Sequence, residues 1–289
     1  MIMEQIEGLL RRSVVLLDKP SGPTSREIDE RVKAILKRKK AGHAGTLDSK
    51  VTGLLVIALD EATKAMPFLA NSDKTYEGII QLHGDVDFSE LERFIGENFT
   101  GLITQTPPVK SRVARRPRER AIYYFNLLGK EGKNVHFRTK VQGGTYIRKL
   151  VHDIGEKFNV SMHMKSLRRT ESGHFSIGQA VTLEQLEEAY REYEGGDSSS
   201  LEKILMPLEE VLKDERRVKI KKDYIPKVLN GSPIRWEYIE SIDREVESGD
   251  NIVLLFEDKI IGIGVALVDF NAMRSSSRPV VKTDRLILD

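Results

Sequence analysis

Gly42-His43-Ala44-Gly45-Thr46-Leu47-Asp48 is the stretch on which the reading of this 289-residue sequence turns. It follows the basic run Lys37-Arg38-Lys39-Lys40 and precedes the apolar run Leu54-Leu55-Val56-Ile57-Ala58, which predicts a tight loop between a helix and a buried strand. Gly42, Ala44 and Gly45 carry small side chains or none, so the backbone can turn sharply and another molecule can come close. His43 and Asp48 are then the functional groups left to meet it. The pattern reads as a buried, presented acid. Taken alone, Asp48 fits a turn or helix-capping role as well as that of a nucleophilic or acid–base carboxylate.

Upstream, Val14-Val15-Leu16-Leu17 reads as a short buried strand, stopped by Asp18-Lys19-Pro20-Ser21-Gly22-Pro23. Thr24 and Glu27 have capping-box spacing, and Ile28, Val32 and Ile35 recur at helical period toward a basic C-terminal turn. Downstream, Tyr76 to Leu82 has strand composition, and Val135, Phe137, Thr139 and Val141 alternate on one face of a second strand. Gly143-Gly144 ends that strand, and Thr145 is placed to cap a helix whose Ile147, Leu150, Val151 and Ile154 form an apolar stripe ending at Gly155. Strands and helices mix without steady alternation, which predicts an α+β architecture. Glu194 to Ser200 reads as flexible, and Leu201 to Leu212 as a further helix. From about Arg216 the chain turns to short β-rich runs, notably Ile252-Val253-Leu254-Leu255-Phe256 and Ile260 to Val268, which predict a small β-barrel or sandwich.

Composition narrows the function. Hydrophobic residues make up 39% and charged residues 31%, and no window approaches the roughly 18 consecutive apolar residues of a membrane span. Met1 to Leu10 carries Glu4 and Glu7 and does not read as a secretion signal, so a cytoplasmic protein is expected. With no cysteine, thiolate chemistry and disulfides are excluded. His43, Asp48, His152, Asp153 and His163 are spaced too irregularly to read as a metal set. The net charge of +2 hides segregation: Lys33, Lys37, Arg38, Lys39 and Lys40 form one basic run, and Lys110, Arg112, Arg115, Arg116, Arg118 and Arg120 another. Acids dominate Glu184 to Glu215. Either basic run could be a solvated face, but together, flanking a candidate acidic site, they point to a polyanionic partner. Leu167-Arg168-Arg169-Thr170-Glu171-Ser172-Gly173 fits phosphate contact and, equally, a surface hairpin. Tyr76 fits a core strand position or a functional one. Arg148 lies beside its helix's apolar stripe, from where it can reach inward to a carboxylate and keep it charged.

The order of these pieces resembles one family. Asp18-Lys19-Pro20-Ser21-Gly22-Pro23-Thr24-Ser25, Gly42 to Asp48, Lys74-Thr75-Tyr76, Gly144-Thr145-Tyr146-Ile147-Arg148 and Leu167 to Gly173 are similar to the successive motifs of TruB-type RNA pseudouridine synthases. Thr106-Pro107-Pro108-Val109-Lys110-Ser111, Tyr146 to Glu156 and His163 to Thr170 resemble the archaeal relatives of dyskerin, the catalytic subunits of H/ACA guide-RNA particles. Ser248-Gly249-Asp250-Asn251-Ile252-Val253 and Val281 to Arg285 resemble the PUA RNA-binding domain of that group.

The resemblance implies an N-terminal extension over 1–12, a catalytic domain over 13–212 with a mixed, mainly antiparallel sheet, and a PUA-like β-barrel over 213–289. It implies isomerisation of uridine to pseudouridine in ribosomal RNA, with neither metal nor organic cofactor. A stand-alone enzyme acting on the T-loop of transfer RNA is the alternative, and a non-catalytic RNA-binding scaffold is the alternative of another class. By motif position Asp48 would act at the sugar, Arg148 would pair with it, and Tyr76 would stack on the flipped base and help deprotonate it. His43, Leu167 and Lys19 would form the substrate pocket. Lys110, Arg112, Arg115, Arg116, Arg168 and Arg169 would contact RNA. The implied partners are an H/ACA guide RNA and small core proteins, among them a zinc-ribbon-like subunit and a kink-turn binder. Ser49 stands where the family loop usually has proline, which is expected to loosen the loop's exit. The short stretch before residue 13, the end soon after Asp284-Arg285 and the want of a lysine-rich tail favour an archaeal-type, non-nuclear protein.

Overall fold

The structure is a computed structural model describing residues 2–107, 114–243 and 245–287. Helix α1 (Ile2–Arg11) leads into β1 (Ser13–Lys19), α2 (Ser25–Ile35), β2 (Ala41–Ala44) and β3 (Thr52–Leu59). A 3-10 segment (Asp60–Ala65) and α3 (Met66–Ala70) lead to β4 (Lys74–Leu82), then α4 (Phe88–Asn98), β5 (Gly101–Gln105) and the long pair β6 (Arg118–Glu131) and β7 (Asn134–Val141). Helix α5 (Ile147–Phe158) precedes β8 (Met162–Ser172) and β9 (Phe175–Ser176), followed by α6 (Leu183–Glu194), α7 (Ser199–Ile204), β10 (Leu205–Pro207) and α8 (Leu208–Val211).

These strands form one ten-stranded sheet, ordered β10-β1-β3-β8-β4-β7-β6-β5, with β2 also on β3 and β9 on β8. All of its strand pairs are antiparallel except β3 with β8, where Thr52 faces Arg168 and Gly53 faces Arg169. Gly53 is required there: its φ is +102°, and a Cβ would lie 2.2 Å from the Arg169 carbonyl oxygen. The expected mixed, mainly antiparallel α+β architecture is what the chain adopts.

The apolar runs in β1 and β3 are continuous rather than alternating because both faces are covered. Val15, Leu17, Leu55, Ile57 and Leu59 join one core with Ile28 and Val32 of α2. Val14, Leu16, Leu54, Val56 and Ala58 join another, with Phe68, Leu208 and Leu212. The α2 capping box is formed as its spacing predicts: the Glu27 N–H donates to Thr24 Oγ1 at 3.2 Å, and the Thr24 N–H to the Glu27 carboxylate at 2.7 Å.

The remaining strands, β11 (Arg217–Ile220), β12 (Ile239–Ile242), β13 (Asn251–Phe256), β14 (Lys259–Ala266) and β15 (Val281–Leu286), form a second, five-stranded sheet with α9 (Ile225–Leu229) and α10 (Phe270–Met273). Its order is β12-β11-β13-β14-β15, with β11 and β13 parallel. Val218, Ile220, Ile252, Leu254 and Val281 give it a core of its own. Val253, Ile260 and Ile263 from its other face join the cluster that holds Leu208 and Leu212. Arg12 ties the two sheets further, donating to the Ile260 carbonyl at 2.8 Å and to Glu209 at 2.9 Å.

Two local expectations are corrected. Thr145 does not cap α5: its hydroxyl donates to the Gln142 carbonyl, and Tyr146 holds the cap position without a side-chain bond. Gly155 closes the buried stripe of α5 as expected, while the helix itself continues to Phe158 and a left-handed Asn159. Its small size lets the helix sit against Met162, whose Cγ would be 2.7 Å from a Cβ. The run from Leu201 to Leu212 is not one helix. Pro207 has no N–H, and its ring would clash with the carbonyl four residues back; Leu205–Pro207 is extended and pairs with β1 instead. In the Glu194–Ser200 stretch only residues 195–198 lie between α6 and α7, and Asp197 accepts from the Ser199 N–H at 2.9 Å.

Candidate functional site

The decisive segment is a hairpin rather than a plain loop. Ala41–Ala44 pairs with β3, His43 facing Ile57, and residues 45–51 form the connection. Buried cations grip that connection at both ends. Arg169 donates from Nε to the Leu54 carbonyl at 2.7 Å and from the guanidinium tip to the Gly45 carbonyl at 2.9 Å. Lys19 donates to the carbonyls of Ser49 at 3.1 Å and Val51 at 2.9 Å. Between them, the Ser25 hydroxyl accepts from the Leu47 N–H and donates to the Leu47 carbonyl, each at 2.9 Å. The Gly22 N–H donates to the Ser49 carbonyl at 2.9 Å as well. At the loop's exit the Ser49 carbonyl thus accepts from both Lys19 and Gly22. A backbone carbonyl is a group proline also has.

Gly45, at φ +85°, lies over Arg169 and Lys74: a Cβ there would be 3.3 Å from an Arg169 guanidinium nitrogen and 3.5 Å from Lys74 Cε. Burial, reinforced by the Arg169 charge and partly offset by Asp73, pushes the Lys74 ammonium down to about 8. Burial also lowers Lys19, while the Asp48 and Glu27 carboxylates pull it back up. Asp48 thus has a buried cation beneath it.

Above this floor Asp48 and Arg148 are open to solvent, whereas Tyr76 is buried. Asp48 is not buried as its setting suggested: its side chain is 55% exposed, and that of its ion-pair partner Arg148 is 63% exposed. Arg148 reaches it from the first turn of α5, whose Ile147, Leu150, Val151 and Ile154 are buried. An ion pair this exposed contributes roughly 0–1 kcal/mol to stability. Approach of a substrate can therefore rearrange it at little cost to the fold. The pair opens onto a cleft of about 390 Å³ whose wall is β8 from Met164 to Leu167. Tyr76 is 8% exposed and belongs to the same apolar cluster as Leu167 and as Leu47 and Val51 of the connection itself.

The expected pocket and RNA-contact residues divide. Leu167 lines the cleft. Lys19 is fully buried and spends its ammonium on the loop's carbonyls, so it supports the pocket rather than lining it. Arg169 is 1% exposed and cannot present itself to phosphate. Neighbours in a strand point to opposite faces, so Arg168 is the outward member of the pair. It forks onto Asp18 at 2.9 and 2.6 Å. Arg115 and Arg116 are exposed; Lys110 and Arg112 lie outside the described residues. Three cations of the first basic run have acidic partners in the chain, Lys33 with Glu30, Lys37 with Glu194, and Arg38 with Glu7 at 2.9 Å, while Lys37, Lys39 and Lys40 remain exposed. Glu194 holds the Lys37 ammonium above its ordinary range. His43 is half-enclosed, its ring held by Asp29 and Thr46. Among the described residues, His152, Asp153 and Glu156 come together on α5, but Lys149 already pairs with Asp153.

Sequence reasoning missed Ser25, Asp29, Thr46 and the buried role of Lys74. A signal existed for two of them: Ser25 and Asp29 are four residues apart on α2, hence on one face, beside the apolar Ile28 and Val32.

The chain matches two family models, the N-terminal domain of TruB family pseudouridylate synthases over residues 33–147 and the C-terminal domain of tRNA pseudouridylate synthase B over residues 148–213. It is 41% identical over 283 residues to a probable tRNA pseudouridine synthase B of Korarchaeum cryptofilum, covering 96% of this chain and 87% of that one. It is also 41% identical to the protein of the same name from Methanopyrus kandleri, covering 98% and 85%. Among solved structures it is similar to a crystal structure of a Cbf5-Nop10-Gar1 complex, with a TM-score of 0.91 and 35% identity over 98% of this chain and 87% of that chain. It is similar as well to an H/ACA ribonucleoprotein bound to a substrate RNA containing 2′-deoxyuridine, with a TM-score of 0.87 and 34% identity over 98% and 87%.

Proposed function

Because this chain belongs to the TruB family and is an RNA pseudouridine synthase, we propose that it isomerises uridine in ribosomal RNA, directed by an H/ACA guide RNA. The observation that carries the guided reading is the likeness, over 98% of the chain, to Cbf5 in complexes with Nop10 and Gar1. On this reading small core proteins such as those two, together with a kink-turn binder, complete the active particle. Residues 13–212 are the catalytic domain, 1–12 an extension, and 213–289 a PUA-like module that grips RNA.

Asp48 acts at the ribose of a uridine flipped into the cleft. The bond from C1′ to N1 breaks, the uracil turns, C5 bonds to C1′, and C5 loses a proton while N1 ends with one. Arg148 stays paired with Asp48 and holds its carboxylate at the mouth of the cleft. Tyr76 and Leu167 supply the apolar walls, with Tyr76 against the base, where it helps remove the C5 proton. Closing RNA over Asp48 removes water, which strengthens its interactions with Arg148 and Lys19. Arg115, Arg116 and Arg168 are the phosphate contacts among the described residues.

The relatives carrying the name tRNA pseudouridine synthase B favour a second reading, modification of transfer RNA without a guide. Reconstitution separates them. The chain should form pseudouridine in a guide-complementary RNA when guide and core proteins are present. Efficient modification of transfer RNA by the chain alone would replace the guided reading with the second, and no turnover on either substrate would favour a non-catalytic scaffold.

A further inference from the structure

Asp29 is 8% exposed, on the face of α2 that also buries Ile28 and Val32. A carboxylate there is costly unless it is used. Its Oδ2 lies 2.6 Å from His43 Nδ1, while His43 Nε2 lies 3.0 Å from Thr46 Oγ1. Its Oδ1 is buried without a hydrogen-bond partner among the described residues. The carboxylate is therefore held for one contact, the one to the imidazole. Thr46 lies two residues before Asp48, so the chain Asp29, His43, Thr46 is a second tie between α2 and the connection, beside the one Ser25 makes to Leu47.

A carboxylate accepts and does not donate, so Nδ1 carries the imidazole proton. In the neutral ring Nε2 is then an acceptor, here for the Thr46 hydroxyl. We propose that Asp29 is a positioning residue for the reaction: it fixes His43 as the Nδ1–H tautomer and in one orientation, and leaves Nε2 as the atom that faces the substrate. The inference rests on the reading that His43 meets the extruded nucleotide. It adds which chemistry His43 offers. An Nε2 acceptor selects a donor on the nucleotide, a ribose hydroxyl or a base N–H, and not a phosphate oxygen. Thr46, whose hydroxyl rotates freely, keeps Nε2 occupied until that donor arrives.

The test uses the full chain with 15N-labelled histidine, the His43 resonances being identified by their loss in His43→Gln. Long-range proton–nitrogen spectra report which ring nitrogen is protonated. Wild type and Asp29→Asn, which keeps an acceptor oxygen, should both show protonated Nδ1 and bare Nε2. Asp29→Leu should shift His43 toward the Nε2–H form and lower kcat for pseudouridine formation about tenfold with little change in KM, Asp29→Asn restoring most of the loss. Thr46→Val, which leaves Nδ1 untouched, should keep the wild-type tautomer and provides the decisive arm should Asp29→Leu not fold. A wild-type Nε2–H tautomer, an unchanged tautomer in Asp29→Leu, a tautomer lost in Thr46→Val, or a switch without any fall in kcat would each overturn the proposal. The expected tautomers in a wild-type chain that makes no pseudouridine under any reconstitution would support the Asp29 assignment and overturn the functional reading instead.

Discussion

The floor and the rim of the 45–51 connection use the same kind of charge in opposite ways. On the floor, Lys19, Arg169 and Lys74 are buried and bond mainly backbone carbonyls. On the rim, Asp48 and Arg148 are both more than half exposed and bond each other. A buried donor that loses its acceptors, or acceptors that lose their donor, cost the full desolvation penalty, whereas an exposed pair returns to water almost freely. The floor therefore sets the shape of the connection, and the rim is left available for chemistry. Stability and activity should separate along this line.

The sharpest break in that division is Asp48→Asn. Turnover should fall below about a thousandth of wild type. Unfolding free energy should stay within about 1 kcal/mol, because the pair lost is exposed and Lys19 keeps its carbonyl acceptors. A pseudouridine assay and urea denaturation check the two halves, and substantial residual turnover would remove Asp48 from the centre of the reaction. Arg169→Met should do the reverse. It leaves the Leu54 and Gly45 carbonyls without their buried donor. At about 1–3 kcal/mol for each orphaned acceptor, it should destabilise the chain by about 2–6 kcal/mol, read as a lower urea midpoint.

Lys74 gives the floor a pH signature. Its folded value of about 8 lies below its ordinary 10.5. Below about pH 8 both folded and unfolded chains hold the proton, and the cost of burying the charge is present in full. Between the two values the folded chain releases the proton while the unfolded chain keeps it, so this group's contribution to stability rises with pH, by on the order of 3 kcal/mol in all. Urea titrations of wild type and Lys74→Met across that window should show the rise in wild type only; parallel curves would mean that Lys74 is not depressed. The smallest effect belongs to Arg168→Ala, the outward neighbour of Arg169. Losing a half-exposed pair with Asp18 should change stability by less than about 1 kcal/mol. RNA affinity should fall, measurable by filter binding as a weaker salt dependence.

Much of the scaffold was legible locally. The α2 capping box, the buried run in β3 and the period of α5 depend on residues close in sequence, and each forms. The misreadings have two sources. Pro207, a local signal, breaks the run from Leu201 to Leu212, and β1 then offers Leu205–Pro207 a strand partner; the others turn on tertiary neighbours. Whether Arg168 and Arg169 meet a ligand was decided by their alternation in β8 and by what lies behind that strand. How much of the run from Lys33 to Lys40 is free basic surface was decided by Glu194 and Glu7, distant in sequence.

For the site, the amino-acid sequence by itself determined that Asp48 ends a glycine-rich turn, that no thiol can take part, and that an arginine on a distant helix could serve the acid. Those conclusions follow from residue chemistry and short-range geometry. Only the tertiary structure decided that Asp48 is open rather than buried, that Lys19 and Arg169 hold backbone rather than RNA, and that Asp29 stands behind His43. Solvent exposure and hydrogen-bond partners are properties of the space between elements, and in this chain that space is enclosed by β1, β3, β8, α2 and α5, which the sequence sets as much as 150 residues apart.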